Sequence, residues 1–86
     1  MKVLFDYIVE ASGLDPASVG RIAVIDAAAE KIGADRTTIY QWLSKGVVPK
    51  SESLVKLVVA VNEVRFLSDQ SPCTLDEISE IAMGAP

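Results

Sequence analysis

The sequence contains no histidine and a single cysteine, Cys73. With one thiol and no imidazole, the chain can form no internal disulfide, and a zinc centre of the usual Cys/His kind is out of reach. A lone thiol suits a reducing compartment, so the expected location is the cytoplasm. Aromatic residues are also few, at 6% of 86 residues. The apolar share of 50% is therefore mainly aliphatic, which is enough for one core in a chain this short and leaves little to spare. No apolar run is fit to cross a bilayer. The opening MKVLFDYIVEASG carries Asp6 and Glu10, so it reads as neither a secretory signal nor a membrane span. An internal repeat, a glycine-rich phosphate loop and a nucleophile–base pair are all missing, so neither an enzyme nor a cofactor is expected.

Positive charge is in short supply too: the formal net charge is −4 and the pI about 4.6. Its distribution is uneven. Residues 1–19 set Lys2 against Asp6, Glu10 and Asp15, and residues 61–86 set Arg65 against Glu63, Asp69, Asp76, Glu77 and Glu80. Between them, residues 20–60 hold six bases (Arg21, Lys31, Arg36, Lys45, Lys50 and Lys56) against four acids. The middle is thus net basic and the ends acidic. A modest basic face allows contact with DNA but predicts weak non-specific affinity, and tight binding then calls for a dimer.

That middle is organised around Ile25 to Ser44, IDAAAEKIGADRTTIYQWLS. It reads as two short helices joined by a tight turn at Gly33. Ala28 and Ala29 are small enough for the helices to cross closely, Gly33 accepts the positive φ of a sharp turn, and Ile32, Ile39 and Trp42 fill the angle between the helices. Asp35 stands where an N-cap belongs, ahead of a helix expected from Arg36 to Lys45. At about 100° per residue, Ile39, Trp42 and Leu43 share one side of that helix. Arg36, Thr37, Tyr40, Gln41 and Ser44 share the other, with Lys45 at the edge. Such a face suits base edges, because Arg can bridge a guanine and Gln an adenine in the major groove. Taken alone, it also fits an ordinary solvated helix face.

The flanking segments read as further helices. Lys2 to Ser12 repeats Leu4, Ile8 and Ala11 at helical spacing, and Gly13 ends it. Asp15-Pro16 is a start signal for a short turn of helix over 16–20. Gly20 inside a continued helix would cost roughly 1 kcal/mol relative to alanine, so a break near Val19 to Arg21 is expected, with the next helix from about Ile22 to Ile32. After Gly46 and Pro49, Ser51 to Glu63 carries a core stripe of Leu54, Leu57, Val58 and Val61. A second apolar line, Val55 and Val59, is either more core or a dimer contact. The valine-rich run also leaves a strand open somewhere in 54–67. Phe66 to Cys73 reads as a linker. Thr74 and Glu77 form a capping-box pattern before a last helix running to about Met83 and stopped by Gly84. Asp76, Glu77 and Glu80 read as acids at a helix N-terminus rather than a catalytic or metal cluster.

Residues from about Ile22 to Val61, under half of the chain, resemble the Cro and phage-repressor type of helix-turn-helix regulator. The likeness lies in Ala28-Ala29, Gly33, Asp35, Thr37-Thr38-Ile39, and the QWL-x-x-G-x-x-P run from Gln41 to Pro49. It implies a small all-α five-helix bundle of the lambda-repressor-like type, with an extra short C-terminal helix here. The helix-turn-helix domain would span 1–65 (motif 25–44), and residues 66–86 would be a linker and helix for dimerisation or a partner. The resemblance further implies a homodimer that sets two recognition helices in successive major grooves of a double-stranded DNA operator. Arg36, Thr37 and Gln41 match the family's base-reading positions, with Tyr40 beside them, and Ser44 matches a phosphate contact. One position departs from the pattern. A polar phosphate-contacting residue is usual at the start of the second helix, where this chain has Val24 or Ile25, and Arg21 is the nearest basic substitute.

Two other readings share these residues. The protein is a DNA-binding antitoxin whose acidic C-terminal segment holds a basic toxin, or it is a helical protein-interaction module that never meets DNA.

Overall fold

The computed structural model describes residues 3–82. Over them the chain forms six helices and no strand: α1 (Leu4–Ser12), α2 (Pro16–Val19), α3 (Arg21–Ile32), α4 (Arg36–Ser44), α5 (Ser51–Leu67) and α6 (Leu75–Ala82). The expected ends at Lys2 and at Met83-Gly84 lie outside the described residues.

Local chemistry sets most of the boundaries. The Asp6 carboxylate accepts from the Val3 N–H at 2.8 Å at the head of α1. The Asp15 carboxylate accepts from Ala17 N–H at 3.0 Å, with Pro16 in the first helical position. At α6, Thr74 Oγ1 accepts from Glu77 N–H at 3.2 Å. Each satisfies a donor that has no partner within its helix. The break expected at Gly20 is present, and α3 begins at once at Arg21.

Burial decides what local propensity leaves open. Leu54, Leu57, Ala60 and Val61 are buried along one side of α5, which packs on α1, α3 and α6. That continuous face outweighs the β-preference of its valines, and 54–67 is helical throughout. The helix also runs four residues beyond the expected Glu63, so Phe66 and Leu67 belong to α5 and not to the connection.

The core is built on Ile8, Ile25, Ile32, Ile39, Leu57 and Ile78, all essentially without solvent contact. Burying one such side chain is worth about 1.5–3 kcal/mol. Cys73 and Ile78 lie in the same core as α1 and α5, so the segment after α5 is packed onto the bundle. Two side chains of α5 hold it there. Asn62 donates to the Cys73 carbonyl at 3.1 Å and accepts from the Cys73 N–H at 2.8 Å. Arg65 reaches both Glu10 carboxylate oxygens, through Nε at 2.5 Å and Nη2 at 3.1 Å, and the Ser71 carbonyl through Nη1 at 3.3 Å. This two-pronged pairing, largely shielded from water, raises the Arg65 pKa through its hydrogen bond to Glu10.

Candidate nucleic-acid interface

The turn between α3 and α4 depends on Gly33. Its φ is +67°, and its N–H bonds back to the carbonyls of Ala29 and Glu30. Ala34 N–H follows with a 2.9 Å bond to the Ala29 carbonyl. Two such bonds close the end of α3 and reverse the chain. An added Cβ would meet only Lys56 Nζ, at 3.8 Å, so the left-handed backbone and not crowding calls for glycine. Ala28 and Ala29 are buried on α3, and Ile39 and Trp42 are buried on α4. The frame expected from the sequence is therefore assembled as packing.

Asp35 occupies the N-cap position but makes no side-chain capping bond. Its backbone carbonyl accepts the first helical bonds, from Thr38 N–H at 3.1 Å and Ile39 N–H at 3.3 Å, as the carbonyl before any helix does. The first turn of α4 thus lacks the carboxylate cap read from the sequence. An uncapped helix start carries partial positive charge that attracts anions.

The structure exposes Arg36, Thr37, Gln41, Ser44 and Lys45 together on and just beyond α4. Lys45 is the C-cap and not the last helical residue. Tyr40 is different. It is half-buried and packs against the core, so its ring is a support for the helix with limited surface to offer.

Two features of this face were not legible in the sequence. Asp26 on α3 pairs with Arg36, Oδ1 to Nε at 2.8 Å, both side chains being about half exposed. Lys50, at the N-cap of α5, lines a cleft of about 460 Å³ with Thr38, Gln41 and Trp42. Asp26 and Arg36 are ten positions apart on two helices, and Lys50 lies in a stretch with no helical period, so no spacing rule finds either. Arg21, the substitute considered for a phosphate contact, has its guanidinium 4.7 Å from the centre of the Phe5 ring. That stacking turns it toward α1.

Elsewhere the titratable groups are structural. Burial pushes the Cys73 thiol above its ordinary pKa and raises that of the Tyr7 phenol likewise. Among the described residues no three His, Cys, Asp or Glu side chains are grouped to hold a metal ion, and no helix is long and apolar enough to cross a membrane. Comparison with protein-family models, with curated proteins and with solved structures gives no match.

Proposed function

We propose that the protein is a sequence-specific DNA-binding regulator of the Cro and phage-repressor kind, with α4 entering the major groove of operator DNA. One observation carries the reading: the Gly33 turn and the buried Ala29–Ile39–Trp42 frame leave α4 with an exposed edge of Arg36, Thr37, Gln41 and Ser44. Nine residues span about 14 Å at 1.5 Å each, comparable to the roughly 12 Å width of the groove. Arg36 and Gln41 read base edges, and Ser44, Lys45 and Lys50 meet phosphates on either side. Thr37 adds a hydroxyl to the reading edge, and Tyr40 braces the helix from behind.

The protein acts as a homodimer in this reading. The longest extent of one copy is 31 Å, whereas half-sites of a pseudo-palindromic operator lie about 34 Å apart along the duplex. One α4 reads one half-site, so both need two copies. The net charge of −4 makes sequence-independent affinity low, which places the burden on base contacts and on pairing.

The test is capture of genomic fragments by the purified protein followed by sequencing. The reading predicts enrichment of a short inverted repeat. Absence of binding to any fragment at low salt, where attraction to phosphates is strongest, overturns it in favour of a protein-interaction module.

A further inference from the structure

The outward face of α5 is unusually apolar for a helix open to water. Phe66 and Leu67 are 83% and 85% exposed, and Val55 and Val59 about half exposed. At 100° per residue, Val55, Val59 and Phe66 fall within about 40° of one another, so they form a single stripe along the helix. Val59, Asn62, Glu63, Phe66 and Leu67 line an open groove on this face. Asn62 does not interrupt it with a free amide, because both ends of that amide are bonded to the Cys73 backbone. A row of this kind on a small chain marks an interaction surface.

We propose that the occupant is a second copy of this chain, its α5 laid antiparallel on the first. Charge placement singles out this partner. Lys56 and Glu63 are both exposed and lie along the same flank of the stripe. In an antiparallel pair related by a two-fold axis, each flank meets its own equivalent. With the axis beside Ala60 and Val61, Val55 meets Phe66 of the second copy. Lys56 then comes within two residues, about 3 Å along the axis, of the second copy's Glu63. The contact is made twice by symmetry. A parallel pair sets this flank against the opposite one, which carries Val58 and Arg65, and gains no such pairing. Among the described residues, Lys56 pairs in the single copy with Glu52 through an exposed contact at 3.5 Å, which is weak enough to exchange. The inference deepens the homodimer part of the reading above. It does not depend on DNA recognition, so its test contains no DNA.

The experiment is sedimentation equilibrium on the full chain and four variants, with far-UV circular dichroism to verify helix content. The wild type is expected to be a dimer at micromolar concentrations. Phe66→Glu, at a site exposed in the single copy, should weaken dimerisation on the order of a hundredfold with unchanged helicity. Lys56→Glu and Glu63→Lys should each weaken it roughly tenfold, because each sets like charges opposite one another twice. The double variant carrying both should regain the wild-type constant. A wild type that stays monomeric, a dimer indifferent to Phe66→Glu, or a double variant no better than the singles overturns the proposal. Operator binding that fails while the dimer persists counts against the DNA reading alone.

Discussion

Asp26 Oδ1 and Arg36 Nε lie 2.8 Å apart, so the helix before the Gly33 turn grips the first residue of the helix after it. The pair uses the one guanidinium nitrogen that points back along the side chain. The two terminal nitrogens are the ones that bridge O6 and N7 of a guanine. Both partners are about half exposed, so the pair adds no more than about 0–1 kcal/mol to stability. If α4 reads DNA as proposed, the pair's effect lies in aim. Asp26→Ala should leave the melting temperature nearly unchanged while raising affinity for random DNA and lowering discrimination for the operator. Fluorescence anisotropy across a salt series is the check, with the salt slope for random DNA steepening by about one as Arg36 turns to a phosphate.

Loss of the proposed reading groups themselves should act differently. Arg36→Ala and Gln41→Ala are each expected to weaken operator binding by about 1–3 kcal/mol without disturbing the fold, since both side chains are exposed. Lys45→Ala should weaken operator and random DNA alike and flatten the salt dependence. Gel-shift titration separates the two patterns. Wild-type operator binding by both Arg36→Ala and Gln41→Ala would mean that the reading face lies elsewhere.

The Asn62 amide is one of two side-chain ties between α5 and the segment leading to α6. Asn62→Ala leaves the part-buried Cys73 N–H and carbonyl without their partner, at a cost of about 1–3 kcal/mol. Urea denaturation should show the lower midpoint. Reaction of Cys73 with a thiol reagent under native conditions should also quicken, because this thiol is reached only when the segment lifts.

Stability should decline on the alkaline side from about pH 9. Burial raises the Cys73 thiol from its ordinary 9.0 and the Tyr7 phenol from 10.0. The unfolded chain therefore releases these protons first. Stability is whole below the unfolded values and is lost as pH rises through the folded ones. Cys73→Ala should remove the part of the decline that begins nearest pH 9, and Tyr7→Phe the part above 10. Both are measured by chemical denaturation across pH.

These expectations rest on a fold much of which is written locally. Asp15-Pro16 starts α2, Gly20 separates it from α3, and Thr74 caps α6, each through bonds spanning four residues or fewer. Ile39 and Trp42 could be placed in the core because period alone separates the faces of a short helix. What the sequence hid was decided at a distance. The Asp35 carboxylate has the right identity and position for a cap and makes no capping bond. Tyr40 falls on the polar side by angle, yet its bulk reaches back to the core. The loop-like run Ser68-Asp69-Gln70-Ser71-Pro72 predicts a linker from Phe66, whereas α5 continues to Leu67. The inward grip of Arg65 on Glu10, 55 positions away, is invisible to any window.

That grip also bears on how the chain comes off the ribosome. α1 is synthesised before α5, and the Arg65 guanidinium that grips Glu10 follows 55 residues later. Much of the burial of α1 likewise waits for α5, one of the two helices against which it chiefly packs. The packing of α1 is therefore completed only once α5 has been made. A nascent chain stalled between Gly46 and Ser51 would display the apolar side of α1 to whatever binds exposed hydrophobic segments in the cell.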